Sequence, residues 1–384
     1  MIFYNNKKKK ILLFIKKLTT KNIKIKFILF IQEFLYLLRL KIIFSVFLKR
    51  KNIFKPKIFK NPIFLYDLRC SSLTFDFADY LFLTNLWLKK FGYEKCDCII
   101  FGGFENIPLM KFRSYDLAIN KNELWERIDN VIKPLAERAN FINSIKLISD
   151  VNSLRNILKE SFLVFPPHYI NLESQNIYLE GVPENRLEIL TNNKKNLTHL
   201  VKFLKPDLND INHVKKKLQI TEADKIVTFT VRDYKFEEVR NTNYSYLKNL
   251  SKFFASKGYR FIVLPDHKNQ SPNIKEEIYV EATLDLRKRI ALYYIANINI
   301  GTAGGPSWMA RYIPNTNMFI TNILKDGKHY GSFRDLKKLH GRGLKWNKQS
   351  FLDTDMHIIF GPEDDISNLT SYERIKKIIY YDNL

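Results

Sequence analysis

The residues best suited to chemistry lie in the second half of the chain, each just beyond an apolar run. Arg232 and Asp233 follow residues 225–231, with Arg240 and Asn241 shortly behind. Asp266 and His267 follow 261–264. The run Gly301-Thr302-Ala303-Gly304-Gly305-Pro306-Ser307 follows 298–300, and Asn322 follows 317–321. A guanidinium in such a place can clamp a diphosphate through two parallel N–H groups. Glycines let a backbone approach a ligand closely. Pro306 and Ser307 suit the first turn of a helix, whose free N–H groups and partial positive charge favour a phosphate. Neither G-x-G-x-x-G nor G-K-[ST] is present, so the dinucleotide and P-loop patterns do not apply. The bland alternative is a tight strand-to-helix turn that needs small residues for packing, flanked by solvated arginines.

These positions become a site only if the apolar runs are parallel strands, because open parallel sheets bind ligands beyond their carboxyl ends. The chain alternates in that way. Residues 63–66, 97–101 and 144–148 read as strands. Helices are expected over 75–91, with Ser71, Ser72 and Thr74 before it as a polar cap and Gly92 as its stop, and over 123–139. Further on, strands are expected at 225–231, 261–264, 298–300 and 317–321, with helices at 244–256, 286–295 and from 306 to 312. Alternating strands and helices mean parallel sheets covered on both faces. The fold class is α/β with two doubly wound, Rossmann-like domains. The expected division is a basic segment at 1–60, a first domain at 61–210 and a second at 211–384, with the boundary inside 195–222.

Bulk properties narrow the partners. With 384 residues, 46% hydrophobic, the chain can build two cores. The formal net charge is +24. Part of that is a lysine-rich, alanine- and glycine-poor composition typical of an AT-rich genome. Between Lys7 and Lys60, lysine clusters alternate with apolar runs and Glu33 is the sole acidic residue. The most apolar stretch, 27–48, is broken by Gln32, Glu33, Arg39 and Lys41. A spanning helix needs about 20 predominantly apolar residues, so an amphipathic helix lying on an anionic bilayer is expected instead. A helix packed on the first domain is the alternative. No small-residue cleavage site follows that would mark a signal peptide. The three cysteines, Cys70, Cys96 and Cys98, read as ordinary thiols of a reducing compartment.

The order of the motifs resembles a known family. The run VTFTVRDY at 227–234 comes first, then Arg240-Asn241, Tyr246, Gly258-Tyr259 and a strand ending at Asp266. Asp285-Leu286, Ile300-Gly301-Thr302-Ala303-Gly304-Gly305 and Thr321-Asn322 follow. Together they resemble the glycosyltransferases of bacterial surface-polysaccharide biosynthesis, over about residues 225–360. The chain departs at Val263-Leu264-Pro265, where that family's strand carries an arginine. In the first domain, Tyr66-Asp67-Leu68-Arg69 through Thr74-Phe75-Asp76-Phe77 looks like the family's acceptor-side opening loop.

The resemblance implies a GT-B fold, with two domains facing a cleft and a nucleotide-sugar donor held by the second. It implies transfer of a hexosyl or related sugar to a surface-carbohydrate or lipid-linked acceptor, on the cytoplasmic face of the plasma membrane as a peripheral protein. Donor-binding residues would be Arg232, Arg240, Asn241, Asp266, His267, Gly301, Thr302, Gly304, Gly305, Ser307 and Asn322. An inverting reaction would need a first-domain carboxylate to deprotonate the acceptor hydroxyl, with Asp76 and Asp67 as candidates and Glu105 behind them. No metal and no cofactor is expected, the nucleotide sugar being a substrate. Asp353-Thr354-Asp355 has metal-motif spacing but reads as a loop.

Three rivals remain. A nucleic-acid-binding protein would interleave basic and aromatic residues on one surface, whereas the lysines here crowd the N-terminus, so no nucleic acid is expected. An epimerase-like two-domain nucleotide-sugar enzyme would carry more carboxylates and histidines on both sides of a cleft. A catalytically inactive scaffold of the same fold is the third.

Overall fold

A computed structural model describes residues 61–68, 71, 73–102, 125–160, 163–165, 201–234, 238–266, 275–324 and 356–381. The basic N-terminal segment, Cys70, Glu105, His267 and Asp353-Thr354-Asp355 lie outside them.

The first half follows the expected alternation. Strand β1 (Ile63–Asp67) leads into helix α1 (Asp76–Phe91), then β2 (Cys96–Phe101). A helical run begins with a π-helical turn (Ile128–Ile132) and continues as α2 (Lys133–Arg138). Strand β3 (Ile142–Ile148), helix α3 (Val151–Glu160) and the short β4 (Val164–Phe165) follow. The four strands form a parallel sheet in the order β3-β2-β1-β4. Helix α1 stops at Gly92, whose φ of 76° is left-handed and suits glycine. Its start differs from expectation. Phe75 occupies the N-cap, and Thr74 Oγ1 takes the Asp76 N–H at 3.3 Å.

The second half is a six-stranded parallel sheet in the order β10-β9-β8-β5-β6-β7. Helix α4 (Leu208–Lys217) precedes β5 (Lys225–Thr230). A 3-10 turn (Glu238–Arg240), α5 (Tyr244–Ala255) and β6 (Tyr259–Leu264) come next. Then follow β7 (Glu277–Ile278), α6 (Glu281–Leu284), α7 (Leu286–Ile295) and β8 (Ile298–Thr302). Helix α8 (Gly305–Met309) runs into a 3-10 turn (Ala310–Tyr312), β9 (Met318–Ile323) and β10 (Met356–Phe360). The described chain closes with α9 (Ser367–Thr370) and α10 (Glu373–Tyr381). Two expectations move. Gly301 and Thr302 belong to β8 rather than to the turn after it, and β9 extends through Asn322. Strands β7 and β10 and helix α10 are additions to the sequence reading.

Alternation along the strands explains the layers. In the first sheet Phe64, Tyr66, Cys98 and Ile100 pack toward α1, while Ile63, Leu65, Ile99 and Phe101 meet Leu154 of α3. In the second, Val227, Phe229 and Ile300 pack on Leu247, Leu250 and Phe254 of α5. Ile226, Ile262 and Ile320 face the side of α4 and α7. Both sheets are therefore covered twice, which is why their strands read as near-continuous apolar runs. Cys96 and Cys98 are buried free thiols, and burial pushes both up from their ordinary range.

One continuous core joins the halves. Phe203, Phe82 of α1 and Tyr312 form a three-ring cluster, with Phe203 6.4 Å from Phe82 and 4.9 Å from Tyr312, and Phe82 5.6 Å from Tyr312. The Leu204 N–H donates to the Tyr312 carbonyl at 2.9 Å, and Tyr312 Oη donates to Asp79. Beside this seam Asp210 of α4 accepts from Arg138 Nε at 3.0 Å and from Lys288 Nζ of α7 at 2.8 Å. Burial pushes the Asp210 carboxyl up, but the hydrogen bonds from Lys288 and Arg138 outweigh it and hold the group below its ordinary value. Among the described residues, no helix is long and apolar enough to cross a membrane.

Candidate functional site

The carboxyl ends of β5, β6, β8 and β9 form one rim, and most of the expected donor residues meet there. Arg232 lies two residues past β5 and is 8% exposed. Its backbone N–H donates to Thr242 Oγ1 at 2.8 Å, and its carbonyl accepts the Thr242 N–H at 2.8 Å. These two bonds close the 232–242 loop on itself. Inside the loop Asn241 is the hub. Its Oδ1 accepts from the Arg232 guanidinium and from the Tyr234 N–H at 3.1 Å, and its Nδ2 returns a bond to the Tyr234 carbonyl at 3.1 Å. Asp266, just past β6, fixes the start of the loop by accepting the Asp233 N–H at 2.9 Å.

The loop is then tied to the glycine-rich turn. Arg240 Nη2 donates to the Ala303 carbonyl at 2.7 Å. Thr242 and Thr302 share a hydroxyl–hydroxyl bond of 2.7 Å. Asn322, in the left-handed region at φ 59°, reaches the Val239 and Asn241 carbonyls at 3.5 and 3.4 Å. Asparagine tolerates that conformation better than most side chains.

The four small residues of the turn have different surroundings. A Cβ on Gly301 would collide with Ser307 Oγ and come within 3.2 Å of Thr230 Cβ. Ser307 is fully buried over it and donates to the Thr302 carbonyl at 3.0 Å. A Cβ on Gly305 would stand 2.6 Å from Phe75 Cδ2 and 2.9 Å from Phe75 Cβ. Packing therefore demands glycine at both positions. Gly304 differs. Its backbone is extended, and a Cβ there would have ordinary contacts, 3.5 Å to the Thr302 carbonyl and 3.7 Å to Arg232 Cδ. Gly304 thus lies against the Arg232 side chain. Helix α8 is short, and Pro306 has no N–H, so Gly305 and Ser307 carry its first donors.

The Phe75 contact brings the first half to this rim. Asp76, the next residue, opens α1 and is half-buried. Asp67 ends β1 at 1% exposure. A recess of about 350 Å³ lies elsewhere, lined by Asn297, Asn317, Arg374 and Lys377 before the amino ends of β8 and β9. It touches none of the rim residues, and open sheets do not use that end for ligands. Among the described residues, no three His, Cys, Asp or Glu side chains are grouped to hold a metal ion.

Beneath the rim lies a residue the sequence reading did not single out. Glu363, three residues past β10, is 3% exposed. Its Oε1 accepts from Thr302 Oγ1 at 2.8 Å and Thr321 Oγ1 at 2.5 Å, and its Oε2 from the Asn243 N–H at 2.9 Å. Burial pushes its carboxyl up, against the three hydrogen bonds that pull it down. Its one signal in the sequence is Gly361-Pro362-Glu363 after the apolar run of β10.

No family model and no curated relative matches the chain. Among solved structures it is similar to the ADP-heptose LPS heptosyltransferase II of E. coli. The identity is 10%, the coverage 84% of this chain and 100% of that one, and the TM-score 0.46. It is also similar to a glycosyl transferase family 9 protein of Veillonella parvula, at 10% identity, 85% and 99% coverage and a TM-score of 0.44. The wall teichoic acid polymerase TagF follows at 11% identity, 84% coverage of each chain and a TM-score of 0.29. With scores this low the likenesses carry no weight for fold or activity. The α/β architecture rests on the strand registers themselves.

Proposed function

We propose that this protein is a glycosyltransferase that moves a sugar from a nucleotide-sugar donor to a surface-carbohydrate or lipid-linked acceptor. One observation carries the reading. Two arginines, Arg232 and Arg240, are built into a loop that is hydrogen-bonded to a glycine-rich turn, all beyond the carboxyl ends of one parallel sheet. A diphosphate suits that arrangement, because fixed guanidinium and backbone N–H donors can meet its charge without reorganising. A larger side chain on Gly304 would enter the space beside the Arg232 side chain. The leaving diphosphate would be stabilised by these groups, without a bound metal ion.

Asp76 is the better base of the two carboxylates. It neighbours Phe75, which packs on the turn, whereas Asp67 is closed off at the end of β1. In an inverting transfer Asp76 would take the proton of the acceptor hydroxyl as that oxygen attacks the anomeric carbon and the nucleoside diphosphate departs. The basic segment 1–60 would hold the enzyme on the cytoplasmic membrane face, where such acceptors are built.

Calorimetry with a panel of nucleotide sugars tests the donor assignment. Binding of one of them, lost in an Arg232→Ala, Arg240→Ala double variant, is expected. Equal affinity in that variant would remove the rim from consideration. Asp76→Asn is expected to bind donor normally while transfer stops. Full-length protein should pellet with anionic liposomes at low salt, and a chain starting at residue 59 should not.

A further inference from the structure

We infer that Glu363 is the positioning residue of this rim: its carboxyl joins the Asn243 backbone, just past the arginine loop, to Thr302 and Thr321 at the ends of β8 and β9. The inference rests on the reading of the rim as a diphosphate site.

The geometry is specific. The segment bearing Arg240, Asn241 and Thr242 ends at Asn243, and the Asn243 N–H is held by Glu363 Oε2. The strand end that precedes Gly304 is held at Thr302 by Glu363 Oε1. A single carboxyl therefore joins both halves of the site, beside the direct Arg240–Ala303 and Thr242–Thr302 bonds. Replacing its contacts by water is not open to it, since the group is almost fully enclosed.

The surroundings also accommodate a proton. Glu363 has no ion-pair partner among the described residues. Oε1 lies 2.5 Å from Thr321 Oγ1, and Thr321 Oγ1 in turn lies 3.3 Å from the Gly301 carbonyl. When Glu363 is protonated on Oε1, that hydroxyl donates to Thr321, and Thr321 donates onward to Gly301. Oε2 still accepts from Asn243, and Oε1 still accepts from Thr302. Every partner stays satisfied. When Glu363 is ionised, Thr321 turns its proton back to the carboxylate and releases Gly301. Burial favours the neutral form.

The titratable and charged groups around it are few. Tyr246 of α5 is pushed up by burial and by Glu363, Asp365 and Asp364. Asp364 and Asp365 share the loop of Glu363, and Arg232 and Arg240 stand on the loop that ends at Asn243. In the neutral state Thr321 stays on the Gly301 carbonyl and holds the strand end that leads to Gly304, whereas ionisation gives that contact up.

Glutamine imitates the protonated state. Its carbonyl can accept from Asn243 while its amide donates to Thr321 and Thr302, and the Thr302 hydroxyl then turns its proton to Thr242. Alanine imitates neither state. The test is calorimetry of ADP, UDP, GDP and CDP with full-length wild type, Glu363→Gln and Glu363→Ala across pH. Wild-type affinity should fall as pH rises through the Glu363 titration. Glu363→Gln should keep the tight affinity and lose that part of the pH dependence. Glu363→Ala should bind up to about tenfold more weakly, the weight of one neutral hydrogen bond. An infrared band of a buried carboxylic acid should appear in wild type as pH falls through the Glu363 titration and be missing from Glu363→Gln. If wild type binds none of the nucleotides, the diphosphate reading falls and this inference with it. If wild type binds, but Glu363→Ala binds equally or Glu363→Gln keeps the wild-type pH profile, the positioning role alone is overturned. Should Glu363→Ala fail to fold, the glutamine profile and the infrared band decide.

Discussion

Two buried carboxyl groups, Asp210 at the seam between the halves and Glu363 beneath the donor rim, are treated in opposite ways. Asp210 is surrounded by cations, Arg138 and Lys288, whose hydrogen bonds overcome burial and hold it ionised. Glu363 is surrounded by hydroxyls and one backbone N–H, and burial prevails. The seam needs a fixed attraction between separate helices, which a charge pair with nearby cations supplies. On the proposed reading, the rim needs a carboxyl that holds a loop and a strand end in place without itself pairing with the arginines. A carboxylate paired with Arg232 or Arg240 would occupy the donors that a diphosphate requires.

The comparison can be broken most directly at the aromatic part of the seam. Phe203→Ala removes the ring that packs on both Phe82 and Tyr312 and is expected to cost about 3–5 kcal/mol, the range for a buried phenylalanine. Chemical denaturation measures it. A loss near zero would mean that the halves do not depend on this contact.

At the rim, Arg232→Ala should weaken donor binding by about 1.5–3 kcal/mol with little change in the unfolding midpoint. A variant that unfolds early yet binds normally would make Arg232 a seam-like structural residue instead.

The adjacent glycines separate packing from ligand approach. Gly305→Ala forces a methyl against Phe75 and is expected to destabilise by about 1–3 kcal/mol. Gly304→Val has a permissive backbone and should fold as wild type while losing donor affinity. Reversed results, with Gly304→Val unstable and Gly305→Ala silent, would contradict the assignment of roles.

The smallest effects are in pH. Asp210 has a lowered folded pKa, so its contribution is present above the ordinary carboxylate value and is lost as pH falls through the folded one. Asp210→Asn should therefore approach wild-type stability in acid and fall below it near neutrality. Glu363 has a raised folded pKa, so its contribution is present below the ordinary value and is lost as pH rises. Glu363→Gln should gain on wild type toward alkaline pH. Thermal melts across pH check both. Parallel curves for the two variants would erase the distinction between the two carboxyls.

Much of the architecture was legible along the chain. Strands buried on both faces leave near-continuous apolar runs, such as 225–231 and 261–264, and helices leave glycine stops such as Gly92 and Gly258. β7 was not legible, because two residues carry no periodicity. β10 carries an apolar run at 356–360 that was open to the same reading and was passed over. His267 falls outside the described residues, and the other donor candidates are brought to one rim because each closes or follows a strand of the same parallel sheet.

Sequence alone determined which residue types stand after each strand, since strand register and chain order are local. It did not separate Gly304 from Gly301 and Gly305, because each glycine's role depends on what a Cβ would meet, and Phe75 is far away in sequence. Nor did it single out Glu363, whose partners Asn243, Thr302 and Thr321 are separated from it by 120, 61 and 42 positions. Those distances are closed only when β8, β9 and β10 lie side by side. What a buried carboxyl does is set by the donors around it, and only tertiary packing chooses them.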